Sequence, residues 1–177
     1  TLQLTGSGTA AAANAWASSN TAVATISNAG LVTSVSAGTT TITYTNNNNC
    51  SVTSTITIYA LPVVTGNNVL CAGSSTQLNG TPTPATTTPW SSSNSAIATI
   101  TNTGLVNGIT AGNVVITYTN NVGCVTTFSL NVNPNPSISG NTVLCVNTSS
   151  QLTGSGTPAT ANPWTSSNTG VATISNT

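Results

Sequence analysis

Only two kinds of side chain in this sequence can titrate, the cysteine thiol and the tyrosine phenol. The 177 residues include no Asp, Glu, Lys, Arg or His. The titratable residues are Cys50, Cys71, Cys124, Cys145, Tyr44, Tyr59 and Tyr118. Acid–base catalysis needs a positioned proton-exchanging group, and a nucleophilic thiol needs a nearby cation or imidazole to lower its pKa. We therefore expect no catalytic residue and no enzymatic activity.

The same composition predicts no metal site and no cofactor. Calcium sites draw mainly on Asp and Glu carboxylates, and zinc sites use closely spaced Cys and His residues. The four cysteines form no CxxC pair, and histidine is absent. We expect neither ion to bind.

The absence of charge also limits the partners that the chain can have. Without Lys or Arg, the chain cannot neutralise nucleic-acid phosphates or be attracted electrostatically to anionic lipid. No stretch approaches the roughly 18 consecutive apolar residues of a membrane span. The sequence therefore predicts no nucleic-acid partner and no membrane insertion in this segment.

The sequence repeats itself at a fixed interval of 74 residues. This interval separates Gln3-Leu4, Gln77-Leu78 and Gln151-Leu152. It also separates Trp16, Trp90 and Trp164, and it relates Cys50 to Cys124 and Cys71 to Cys145. Self-similarity at a fixed period indicates a tandem array of structural units.

Two proline-bearing connectors, Leu61-Pro62 and Asn135-Pro136, provide candidate boundaries between the units. They divide the chain into a first unit, residues 1–61, that lacks its first strand, and a complete second unit, residues 62–135. The third unit, residues 136–177, stops before its second half. We expect both ends of the sequence to be cuts through a longer protein.

The apolar pattern of the second unit predicts β-strands. Val114, Ile116 and Tyr118 alternate with smaller or polar residues, as in a half-buried strand. Further strands are predicted at Phe128, Leu130 and Val132, and within 75–78, 90–92 and 96–100, with turns at 102–104, Asn107-Gly108 and 120–123. No segment has helical spacing. Short strands with turns about every ten residues are typical of a β-sandwich.

The aromatic residues that recur with the repeat are predicted to anchor its core. They are Trp16, Trp90, Trp164, Tyr44 and Tyr118. A single Trp can cover much of the core of a small sandwich. The alternative is that the Trp side chains form a platform on which a sugar stacks.

The repeat resembles the bacterial Ig-like domain, group 2. The resemblance lies in the run from Trp90 to Ile100, in Gly104-Leu105-Val106, and in Ala111-Gly112 leading into Ile116-Thr117-Tyr118. All three copies follow the pattern as far as each extends, with Ser34 replacing one glycine. The cysteine-bearing form is similar to repeats in giant surface proteins of the Bacteroidetes. The resemblance implies tandem immunoglobulin-like sandwiches and an intimin- or invasin-like spacer or adhesive role, without implying a ligand.

The cysteines recur once near the start and once near the end of a unit. We expect a disulfide between Cys71 and Cys124 inside the complete unit, where it would stabilise a small core by about 2 to 4 kcal/mol. An inter-repeat bond between Cys50 and Cys71 is the alternative. Either bond needs an oxidising compartment and therefore predicts an extracellular or cell-surface location.

The outer faces depart from the family pattern, because Thr, Ser and Asn occupy places where members ordinarily carry charges. Such faces can hydrogen-bond to a neighbour without desolvating an ion. We therefore predict that the units associate with copies of themselves, end to end and laterally, in a stiff stalk or filament. The alternative is an adhesin whose variable loops, such as Thr81–Pro89, bind host or glycan ligands at the surface.

Overall fold

The structure, a computed structural model, describes residues 1–176, and all of the regular secondary structure in that range is β-strand. The strands fall into three groups, within 2–58, 63–133 and 138–154, and each group pairs only within itself. The prediction of an all-β chain is confirmed. The unit boundaries at residues 61 and 135 stay predictions.

The first group forms two three-stranded sheets. Its strands are β1 (Leu2–Gln3), β2 (Trp16–Ser18), β3 (Ala24–Ile26), β4 (Leu31–Ser34), β5 (Gly38–Thr45) and β6 (Ser51–Ile58). One sheet has the order β2-β5-β6 and the other β1-β4-β3.

The second group forms a four-stranded sheet, a three-stranded sheet and a short two-stranded pair. Its strands are β7 (Val63–Thr65), β8 (Val69–Cys71), β9 (Ser75–Gln77), β10 (Asn79–Thr81), β11 (Trp90–Ser92), β12 (Ala98–Ile100), β13 (Leu105–Gly108), β14 (Gly112–Thr119) and β15 (Val125–Asn133). The orders are β11-β14-β15-β8, β12-β13-β9 and β10-β7. The pairing is antiparallel except between β15 and β8, which run parallel.

The core of the second unit lies between its two larger sheets. The four-stranded sheet contributes Leu70, Trp90, Val114, Ile116, Tyr118, Leu130 and Val132, and the opposite layer contributes Leu78, Ala98 and Val106. The alternation of side chains along β14 explains which of its residues enter the core, because Ile116 is fully buried while its neighbour Val115 is 39% exposed. The predicted inward face of β14 is confirmed.

The predicted turn at Asn107-Gly108 is wrong. The two residues continue β13 and pair with Thr99 and Ala98 of β12. A Cβ at Gly108 would lie 3.1 Å from the Cys71 carbonyl oxygen and 3.1 Å from a methyl group of Val132. The glycine therefore permits close approach of the two sheets, which is the other common reason for glycine inside a strand.

The third group contains a single antiparallel pair within the described residues. Its strands are β16 (Ile138–Gly140) and β17 (Leu152–Gly154). They correspond by the 74-residue interval to β7 and β10, which pair in the same way. The start of the repeat is therefore built alike in the second and third units.

The chain enters and leaves the second unit at opposite ends. Val63, at the start of β7, lies opposite Thr81, which precedes the loop that contacts the β14–β15 hairpin. We call this the upstream end. The last strand, β15, runs away from that hairpin and finishes at Asn133. Nine residues of strand span about 30 Å, so Asn133 marks a distant downstream end.

Candidate functional site

A Trp and a Tyr side chain are paired across neighbouring strands in each of the first two units. Trp90 of β11 lies opposite Tyr118 of β14, with ring centroids 4.5 Å apart and planes tilted by 46°. Trp16 and Tyr44 repeat the arrangement at 4.6 Å and 46°. Trp90 is 7% exposed and Tyr118 is 1% exposed, so neither ring offers a face on which a sugar could stack.

The remaining predicted anchor, Trp164, lies in the third unit and is partly exposed. Its ring approaches the backbone of β17, because a Cβ at Gly154 would lie 3.3 Å from it. By the repeat interval, Gly154 corresponds to Gly80, the glycine that contacts Tyr118 in the second unit. The third unit therefore places an aromatic ring against the same glycine position.

Gly80 allows β10 to pass directly over the Tyr118 ring. A Cβ there would lie 2.5 Å from two ring carbons, and one at Gly6 would lie 2.4 Å from the Tyr44 ring. The Tyr118 hydroxyl donates a hydrogen bond to the Pro82 carbonyl, and burial raises the pKa of this phenol. The sequence analysis missed these glycines, although each follows the repeated Gln-Leu by two residues.

The upstream end is organised by the Asn120 side chain, at the β14–β15 turn. Its carbonyl oxygen accepts hydrogen bonds from the backbone N–H groups of Val122, at 3.1 Å, and Cys124, at 2.8 Å. The backbone N–H of Asn121 donates to the Thr83 carbonyl at 2.9 Å. These bonds fix the thiol-bearing residue Cys124 beside the 81–89 loop, at the end where the chain enters.

The downstream end carries the other cysteine of the unit. Cys71, the last residue of β8, lies directly opposite Asn133, the last residue of β15. The backbone N–H of Ala72 donates to the Asn133 carbonyl at 2.9 Å, which holds this corner closed. Cys71 is exposed, and the connector to the next unit begins one residue after Asn133.

The predicted disulfide between Cys71 and Cys124 is wrong for this fold. Both cysteines are free thiols. Cys124 immediately precedes β15, whereas Cys71 lies opposite its last residue, so the two are separated by about 30 Å. A disulfide needs Cα atoms within about 7 Å. The spacing of the cysteines in the sequence does not reveal that β8 pairs in parallel with the C-terminal end of β15, away from Cys124.

The alternative bond between Cys50 and Cys71 is also absent. Cys50 precedes β6 and occupies the same position in its turn as Cys124, with its N–H donating to the Asn46 side-chain oxygen at 3.0 Å. It therefore lies a strand length from the connector that follows β6. Cys71 lies at the end of the second unit remote from that same connector.

The outer face of the first unit carries a ladder of threonines. Three of the paired positions between β5 and β6 are threonine opposite threonine: Thr39 with Thr57, Thr41 with Thr55, and Thr43 with Thr53. In the second unit the matching pairs are Asn113 with Asn131, Val115 with Ser129, and Thr117 with Thr127. Both faces are uncharged and rich in groups that donate and accept hydrogen bonds.

No cluster of three metal-ligating side chains occurs among residues 1–176. Over the same range, no helix is long and apolar enough to traverse a bilayer.

Among proteins with curated descriptions, none matches the chain in sequence. Several solved structures resemble it at low identity. A mutant intimin of EHEC O157:H7 matches at 21% identity and a TM-score of 0.36, covering 46% of this chain and 51% of the intimin chain in that structure. A C-terminal intimin fragment in complex with the intimin-binding domain of its translocated receptor matches at 16% and 0.48, covering 71% and 53%. Invasin, a bacterial integrin-binding protein, matches at 19% and 0.45, covering 71% and 30%. The chain thus spans about half the length of the intimin structures.

The family comparison covers most of the chain. The sequence profile of the bacterial Ig-like domain (group 2) matches residues 1–56 and again residues 63–129. These two matches correspond to the first two groups of strands, each with a Trp–Tyr ring contact between paired strands. The chain therefore belongs to the bacterial Ig-like domain (group 2) family and is built of tandem Ig-like repeats.

Proposed function

We propose that the chain is a structural repeat module of a long extracellular or cell-surface protein, in which units joined end to end form a stiff stalk or self-associating filament. The proposal includes unit boundaries at residues 61/62 and 135/136. It assigns the chain no enzymatic activity, because the sequence has no carboxylate, imidazole or amine side chain to exchange protons with a substrate.

One observation carries the proposal: the polypeptide enters the second unit at the upstream end and leaves it about 30 Å away at the downstream end. A domain whose termini lie side by side would project from a chain, whereas opposite termini place successive domains in line. Each repeat therefore adds its full length to the array.

Short connectors support stiffness. Four residues separate Ile58 of β6 from Val63 of β7, and four separate Asn133 of β15 from Ile138 of β16. The second connector reads Pro-Asn-Pro-Ser, in which two prolines fix backbone φ angles. Linkers this short and this restricted limit bending between neighbouring units.

Neutral surfaces support association between copies. The chain has no charged side chain, so no electrostatic repulsion keeps two copies apart, and net charge near zero promotes association. The Thr- and Asn-bearing outer faces of β5, β6, β14 and β15 can form hydrogen bonds across an interface without burying an ion.

Electron microscopy of the purified native assembly tests the proposal. We expect rods or fibres with an axial repeat of about 35 to 45 Å, which is one strand length plus a connector. Freely jointed beads, or compact particles without axial order, would contradict the rigid array.

The second candidate function is an adhesin, and the 81–89 loop favours it. Seven of its nine residues are exposed, and its sequence differs from the matching segment 7–15 of the first unit. The loop is nevertheless bonded to the β14–β15 turn at the upstream end, where the preceding unit is attached. This position favours a contact at the junction between units over contact with a distant ligand.

A loop exchange separates the two functions. Replacing residues 81–89 by the sequence of residues 7–15 should leave binding to a printed panel of mono- and oligosaccharides unchanged if the role is structural. If the parent chain binds a saccharide of the panel and the exchange abolishes that binding, the result would support the adhesin. Replacing residues 7–15 by the sequence of residues 81–89 is the matched control.

A further inference from the structure

We infer that the two cysteines of a unit are half-sites for disulfides across successive unit junctions: the β8 cysteine of one unit pairs with the hairpin cysteine of the next. The inference deepens the proposed end-to-end array and rests on it. The bond belongs to the junction and not to the interior of a unit.

The first step is the position of the two thiols within one unit. Cys71 is adjacent to Asn133, the last strand residue before the chain leaves. Cys124 belongs to the turn bonded to the 81–89 loop, and the first residue of that loop, Thr81, pairs with Val63, the first strand residue after the chain enters. Each unit thus presents one thiol at the end that it turns to its successor and another at the end that it turns to its predecessor.

The second step is reach. A connector from Asn133 to Ile138 extends at most about 18 Å, and it is shorter when bent at its prolines. Cys71 lies on the strand next to Asn133, about 5 Å to the side. In the second unit, the hairpin is bonded to the loop that follows Thr81, the partner of Val63, and the repeat predicts the same placement in the following unit. The two thiols of a junction are therefore no farther apart than the connector plus the lateral offsets of the two cysteines from its ends, and bending at the prolines brings them closer.

The third step is repetition without an alternative use. Cys50 repeats the hairpin position and Cys145 the β8 position, so both half-sites recur with the 74-residue interval. Cys71 and Cys145 are exposed, Cys124 is half-buried, and none has a sulfur partner. Metal binding does not explain the thiols, because no cluster of three ligating side chains surrounds them within residues 1–176.

The 74-residue interval also identifies the missing partners. The partner of Cys71 would lie 74 residues after Cys124, and the partner of Cys124 would lie 74 residues before Cys71. Each junction between these three units therefore contains one of its two thiols within the 177 residues. The 177-residue chain should therefore form no disulfide within itself.

The reaction balances with a soluble disulfide as the oxidant. The thiolate of Cys71 attacks the soluble disulfide, forms a mixed disulfide and expels one thiol. The hairpin thiolate of the next unit then attacks the Cys71 sulfur and expels the second thiol. Two protein thiols have lost two electrons and two protons, and the soluble disulfide has been reduced to two thiols.

The test completes the missing half-junction. Residues 104–135 are appended after Thr177, in register with the repeat, which supplies the hairpin cysteine of the third unit. The extended chain and the 177-residue chain are oxidised at low concentration with a soluble aromatic disulfide, alkylated, cleaved with chymotrypsin and analysed by mass spectrometry. We expect one bond in the extended chain, between Cys71 and the appended cysteine, and none in the 177-residue monomer.

Single substitutions provide the controls. Cys71→Ser, or Ser in place of the appended cysteine, should abolish the bond, whereas Cys145→Ser should leave it unchanged. A bond between Cys71 and Cys124, a bond between Cys50 and Cys71, or thiols that all remain free in the extended chain would each overturn the inference. Rods seen by electron microscopy without the bond would leave the proposed function intact, whereas compact particles would remove the function itself.

Discussion

Tyr118 is the buried group through which pH can act on the second unit. Its ring is 1% exposed, its hydroxyl donates to the Pro82 carbonyl, and burial raises the pKa of the phenol. The folded state therefore keeps this proton to a higher pH than the unfolded state does. The contribution to stability is complete below the ordinary phenol pKa of about 10, and it is lost as pH rises above that value.

This linkage predicts a simple pH profile. In a variant with all cysteines replaced by Ser, the free energy of unfolding of the second unit should be constant from about pH 5 to about pH 9 and fall above about pH 10. Tyr118→Phe should remove most of that fall. The free energy of unfolding of both variants is measured by denaturant titration, with hydrogen exchange of peptides from 112–133 as the readout for the second unit. A slope between pH 5 and 9 would be inconsistent with the assignment.

Asn120 permits a comparison between two copies of one turn. Its side-chain oxygen accepts two backbone N–H groups, and it is buried, with its amide nitrogen unpaired among the described residues. Asn46 makes the same two bonds, to Asn48 and Cys50, but is partly exposed. Water can replace the lost acceptor at Asn46 more readily than at Asn120.

We therefore expect Asn120→Ala to destabilise its unit by about 2 kcal/mol and Asn46→Ala to destabilise the first unit by about 1 kcal/mol or less. Hydrogen exchange of the two β-hairpins, measured in the same chain, provides the comparison. Equal losses would mean that burial of the turn does not affect its energetics.

At the scale of strands, the inward faces could be predicted because they depend only on local alternation. Val114, Ile116 and Tyr118 were assigned to the core from the period of two, and all are buried. Gly108 was misassigned because its role depends on Cys71 and Val132, which are distant in sequence. The disulfide failed for a related reason, since the parallel pairing of β8 with β15 is a nonlocal contact that neither strand encodes alone.

Gly108 provides a test of how closely the two layers approach. Gly108→Ala would place a methyl group about as near as a side chain can approach the Cys71 carbonyl and Val132, so β8 should move away from β13. We expect a loss of about 1 to 3 kcal/mol, with faster hydrogen exchange in β8. Leu105→Thr, at an exposed position of the same strand, is the control and should leave β8 unchanged. Unaltered exchange in β8 after Gly108→Ala would refute the close-approach role.

At the scale of the whole molecule, the absence of charge links the surface to assembly. A sheet whose outer positions carry charges of one sign repels an identical sheet, whereas the outer positions of β14 and β15 carry Asn, Val, Thr and Ser. In the proposed array, stacking along the chain follows from covalent connection at the unit ends. The proposed lateral association depends instead on these faces, so the two kinds of contact can be separated by substitution.

Thr127→Lys combined with Ser129→Lys should prevent lateral association of the chain while leaving each unit folded. Both positions are exposed on the outer face of β15, so the charges remain hydrated in the monomer and repel those of a second copy. Sedimentation velocity should show smaller assemblies for the variant at low salt and partial recovery at high salt, because ions screen the repulsion. Thr127→Asn combined with Ser129→Asn keeps the face neutral and should associate like the parent chain. If the lysine variant assembles as the parent does, the outer face of β15 is not part of the lateral contact.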